Sequence, residues 1–226
     1  MQISNLLATI AIYALPVIFA ITLHEAAHGY VAKHFGDTTA YVLGRVSLNP
    51  ARHIDLVGTI ILPLGILLVS TLFNMGGFLF GWAKPVPVNY HALRRPRQHM
   101  MWVAAAGPAA NLLMALGWGL AMKLGLAAGL DDGGFIVKMA KAGIFVNVVL
   151  MLLNLIPILP LDGGRIVASL LPPRMSDSYA RLEPLGFPIL LALLFTNALG
   201  VVLYPMVAGS IHLIATAFQL PLLSAL

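Results

Sequence analysis

The chain reads as an all-α polytopic membrane protein, and three observations carry that prediction. Its 226 residues are 60% hydrophobic and 9% charged, with mean hydropathy +0.93, whereas a soluble domain carries roughly 25% charged residues. Long runs contain almost no Asp, Glu, Lys or Arg, and several are long enough to span a bilayer. The polar material is confined to short links, so little length remains for a soluble domain. About six hydrophobic segments are expected, in one membrane-embedded domain over 1–226.

The segments follow in order. The first runs from Ile3 to about Val31. The second, Leu56 to Ala83, is interrupted by Asn74-Met75-Gly76-Gly77. The third is about Gln98 to Met122, and the fourth about Phe135 to Leu161. The last run, Pro184 to Leu226, has no Asp, Glu, Lys or Arg and is long enough for two spans, broken near Gly200 to Pro205. Asp37 to Ile54, Lys84 to Arg97 and Leu171 to Glu183 link the runs. Within the second run, residues 76–89 are rich in Gly, aromatics and alternating prolines, which favours an extended chain over a helix. Such backbone is tolerated at membrane depth only when buried in protein or beside water, so a short re-entrant segment is expected there.

Basic residues choose between topologies. If residues 56–83 enter and return on one side, Lys33, Arg45, Arg52, Lys84, Arg94, Arg95, Arg97, Arg165, Arg174 and Arg181 share one face, which is ten of thirteen. A single crossing instead splits the thirteen as six against seven and leaves no orientation signal. The positive-inside rule favours the returning arrangement, with the N-terminus outside and the basic loops in the cytoplasm. Formal charge +5 and pI near 9.7 are then membrane topology rather than a nucleic-acid surface. Cys is absent, which excludes disulfides, thiolate ligands and a cysteine nucleophile. The first apolar run has no basic n-region and contains the motif described next, so it does not read as a cleaved signal peptide.

That motif is His24-Glu25-Ala26-Ala27-His28, at the end of an apolar run. On a helix it places two imidazoles one turn apart on one face, the spacing for two ligands of a tetrahedral zinc, with a glutamate beside the first placed to accept a proton from an attacking water. Ionisable residues at membrane depth are costly and default to function. A catalytic zinc usually takes a third protein ligand. Of the eight acids, only Asp162 ends a long apolar run, in Asn154-Leu-Ile-Pro-Ile-Leu-Pro-Leu-Asp162-Gly-Gly-Arg165. Its prolines break the helix, and Gly163-Gly164 permits close passage of another backbone. Asp162 also suits the start of a following helix. His24, His28 and Asp162 can meet only if the first and fourth segments run in the same direction, which the charge count independently favours. Asn154, and less directly Asn111, are candidate donors to an oxyanion, with interhelical hydrogen bonding as the plainer role of both. Gly77, Phe78, Gly81 and Trp82 in the extended segment are a candidate edge to which another extended chain could add as a strand. His34, His53, His91 and His99 read as plain polar residues at loops, and His212 as a partner in helix contacts.

These residues resemble the site-2 protease family of intramembrane zinc metalloproteases, in its compact bacterial form without PDZ or CBS domains. HEAAHGY at 24–30, NLIPILPLDGGR at 154–165, the Gly107-x-x-x-Asn111 element and GWAKPVPVN at 81–89 carry the resemblance, over about residues 20–170. It implies a three-helix catalytic core, here about 5–172, followed by two C-terminal spans, about 184–226. It implies one zinc held by His24, His28 and Asp162, Glu25 as catalytic base, and single-span membrane proteins as substrates in a bacterial inner membrane. The competing readings are a metal transporter using the same three ligands and a catalytically dead scaffold. A transporter has no use for Glu25 and no inverted repeat is visible; a dead scaffold does not need the full catalytic set.

Overall fold

The computed structural model describes residues 3–53, 55–61, 65 and 84–221. Among them the regular structure is helical, with no strand. Helix α1 spans Ile3–His34 and a short α2 spans Thr39–Val42. Helix α3 covers Pro96–Ala127 and α4 Phe135–Asn154. Helices α5 (Asp162–Leu170), α6 (Pro173–Ala180), α7 (Glu183–Phe195) and α8 (Ala198–Phe218) complete the chain.

Four described helices are long and apolar enough to cross a membrane: α1 from Leu7, α3, α4 and α8. Helices α6 and α7 together reach span length but bend by 61° at their junction. This makes four or five candidate spans among the described residues, against the six segments expected from sequence. The fourth run ends as helix at Asn154 rather than continuing to Leu161, because Pro157 and Pro160 follow. The last run breaks at Thr196–Asn197, not at Gly200–Pro205. Asn197 takes the left-handed conformation (φ 57°) that Asn tolerates, while Pro205 is carried inside α8. The 13-residue α7 is too short to span alone.

Helices α1, α3 and α4 pack on one another in all three pairings, and α8 packs against α3 and α4. The main apolar core joins Ala115 and Met122 of α3, Val137, Ile144 and Val148 of α4, and Val207, Ile211 and Ile214 of α8. Small residues set the close approaches: Gly143 lies under the Trp118 ring and Gly119 under Phe218. Outward faces stay apolar, with Leu7, Ile10 and Phe19 of α1, Leu113 of α3 and Val201 and Leu213 of α8 exposed, as lipid contact requires.

The 84–89 strap is irregular. The Lys84 N–H donates to His53 O at 2.9 Å, so residues 53 and 84 lie at the same end of the bundle. The candidate edge residues Gly77, Phe78, Gly81 and Trp82 lie outside the described residues.

Candidate metal centre

Helix α1 delivers the two histidines. His24 and His28 are 7% and 9% exposed and face into the trio. Asp162 is carried in by the turn after α4, as the first residue of α5, and is 9% exposed. That turn is tight because Gly163 and Gly164 pass directly against the backbone of Leu155 to Leu159, where a Cβ would clash. His24 Nε2 and His28 Nε2 lie 3.1 Å apart, and Asp162 Oδ2 lies 3.3 Å from the first and 3.4 Å from the second. Ligand bonds of roughly 2.0–2.1 Å in a tetrahedron put neighbouring donors about 3.3–3.4 Å apart. The triangle therefore matches three corners of a zinc site.

The other ring nitrogens fix the tautomers. The His28 Nδ1–H donates to Val103 O at 2.7 Å, and the His24 Nδ1–H donates to Asn111 Oδ1 at 2.5 Å. Both Nε2 lone pairs are thereby turned to the centre, the arrangement that orients a ligating imidazole. Asp162 Oδ2 is buried with no hydrogen-bond donor, an orphan that a cation would satisfy. The donor set is therefore two imidazoles and one carboxylate, a combination that zinc takes. The residues present fit a divalent zinc, and among the described residues they are the one cluster of this kind.

Helix α3 supplies the space. A methyl at Gly107 would lie 2.6 Å from His24 Nε2 and closer still to His28 Nε2, so only glycine lets α3 pass the imidazoles. One turn on, Asn111 is fully buried. Its Nδ2 donates to Asn147 Oδ1 at 3.0 Å and to Ala20 O at 3.3 Å. With both amide hydrogens committed, Asn111 orients His24 and is not an oxyanion donor, a correction to that candidate role. Asn154 donates to Leu150 O at 2.9 Å within α4 and keeps a second amide hydrogen.

Glu25, the next residue after His24, is half-buried. Its Oε2 accepts the Val86 N–H at 2.7 Å. Sequence reasoning missed three residues here. Asn147 (0% exposed), Asp37 (0%) and His53 (2%) are all buried; a lone Asn within an apolar run was the available signal for the first. His53 donates through Nε2 to Ser47 O at 2.8 Å and is packed rather than a solvated loop residue. His99 lies in α3 stacked on Phe35. His34, His91 and His212 are exposed.

Residues 130–196 match the model of Peptidase family M50. "Putative zinc metalloprotease YwhC" of Bacillus subtilis is 38% identical over 200 residues, covering 84% of this chain and 83% of its own. The chain belongs to peptidase family M50. "Putative zinc metalloprotease Rip2" of Mycolicibacterium smegmatis is 29% identical over 185 residues, covering 81% of this chain and 66% of its own. No solved structure matches. This M50 peptidase, a member of the site-2 protease family, is a zinc metalloprotease and a multi-pass integral membrane protein.

Proposed function

We propose that this M50 peptidase hydrolyses a peptide bond in or near the transmembrane segment of membrane-anchored proteins, with His24, His28 and Asp162 as zinc ligands and Glu25 as general base. The observation that carries the reading is the triangle of three donor atoms at tetrahedral spacing, two of them on a candidate span with a glutamate between them in sequence. Zinc bound there supplies a Lewis acid and a water whose pKa falls to about 7. Val103 and Asn111 hold both imidazoles with Nε2 inward. Glu25 Oε2 accepts from Val86, and Oε1 takes the proton of the attacking water and returns it to the leaving amine. The remaining amide hydrogen of Asn154 is the candidate donor to the oxyanion. Gly77, Phe78, Gly81 and Trp82 are the candidate edge for the unwound substrate strand.

The same reading sets topology. Residues 53 and 84 meet at one end, which supports a second segment that enters and returns. Ten basic residues then share the side of the site. That side is cytoplasmic under the positive-inside rule, with the N-terminus outside and a bacterial inner membrane as the location.

The test is the purified chain in detergent with zinc analysis and a single-span reporter. One zinc per chain and chelator-sensitive cleavage are expected. Glu25→Gln should keep the zinc and lose cleavage; cleavage at the wild-type rate would end the assignment of Glu25. A transporter or scaffold would be indifferent to Glu25→Gln.

A further inference from the structure

The partner of Glu25 belongs to a strap that is tied down on both sides of it. The N–H of Lys84 donates to His53 O at 2.9 Å, that of Val86 to Glu25 Oε2 at 2.7 Å, and that of Asn89 to Asp37 Oδ2 at 2.7 Å. The Arg45 guanidinium reaches the carbonyls of Lys84 and Pro85 at 3.3 and 3.4 Å. Pro85 and Pro87 hold φ near −65° and have no N–H. Of the six residues, only Lys84, Val86, Val88 and Asn89 can donate, and three of those four make the contacts above. The strap lies close on α1 because a Cβ at Gly29 would meet Val46 and Val86.

Asp37 closes this arrangement. It lies three residues past the end of α1 and is 0% exposed. Among the described residues no Lys, Arg or His pairs with it. Its carboxylate accepts two backbone amides, Thr39 N–H at 2.9 Å on Oδ1 and Asn89 N–H on Oδ2. A buried carboxylate is costly unless hydrogen-bonded, and one of its two bonds reaches the strap, 52 residues away in sequence.

We infer that Asp37 is a positioning residue for peptide cleavage: it ties the 84–89 strap to the end of α1 so that the Val86 N–H holds the Glu25 carboxylate in its working orientation. The inference rests on the role of Glu25 proposed above. It touches none of His24, His28 or Asp162, so metal binding and turnover separate.

The experiment uses the zinc-loaded full chain and the single-span reporter, with kcat, KM and zinc content measured for each variant. Asp37→Ala should lower kcat by roughly ten- to a hundredfold, the scale of a small misplacement of a reacting group, with KM and zinc content unchanged. Asp37→Asn keeps one acceptor oxygen and should recover part of that loss. Val86→Pro removes the N–H together with the valine side chain packed at Gly29 and should lower kcat at least as much, and adding Asp37→Asn to it should cost nothing more. Wild-type kcat in Asp37→Ala, a change confined to KM, or multiplied losses in the double variant would overturn the inference. If Asp37→Ala does not fold, Asp37→Asn and Val86→Pro carry the test between them. The underlying reading fails separately, if the wild type holds no zinc or Glu25→Gln cleaves normally.

Discussion

Adjacent residues on one helical turn are held in two different ways. His24 and His28 are gripped by the bundle: α3 supplies Val103 O, Asn111 Oδ1 and the gap at Gly107, and α5 supplies Asp162. Glu25, one residue from His24, is met by a backbone amide of an irregular strap. Packed helices give the two imidazoles a fixed geometry, and a tethered loop meets the carboxylate beside them. Damage to the bundle should therefore remove metal and activity together, and damage to the strap should lower rate alone.

The strongest way to break that contrast is Asp162→Ala, which removes one corner of the triangle. It should abolish stoichiometric zinc and all cleavage, measured by metal analysis and reporter turnover; retained zinc would displace Asp162 from the ligand set. Gly107→Ala follows, because its methyl overlaps both imidazoles; zinc content should fall with cleavage while helical circular dichroism is kept. Asn111→Ala frees the His24 ring without filling the site, and a loss of roughly 10–100-fold in zinc affinity is expected in competition with a chelator. Asn147→Ala removes only the support of that support. One interhelical hydrogen bond is worth about 0.6 kcal/mol, or roughly a threefold weakening by the same assay. The smallest effect belongs to Leu213→Ala, 70% exposed on α8, which should leave zinc and turnover unchanged.

Much of this was legible in the residues. HEAAHGY and the single acid at the end of an apolar run named the three residues that come together, because charged groups in a chain this apolar are too costly to be incidental. The helix break before Asp162 followed from Pro157 and Pro160. The break in the last run was misplaced, because Pro205 fits within a helix and Asn197 needed a positive φ that no pattern announces. Asn111 was left between oxyanion donor and interhelical partner, with the second as the plainer role, since a lone Asn looks the same whether it meets a ligand or another side chain. Asp37 and His53 passed as loop residues because burial by a distant strap leaves no periodic trace.

The sequence by itself determined the membrane setting, the apolar runs and the residue types that meet at the centre. Apolar run length and the scarcity of ionisable groups are properties of the chain, whatever its neighbours. Only the tertiary structure decided which nitrogen of each imidazole faces the centre, that Asn111 is spent on His24, and that Glu25 answers to Val86. Those are contacts between residues 61 and 87 positions apart, and hydrogen bonds over such separations exist only once the helices have packed.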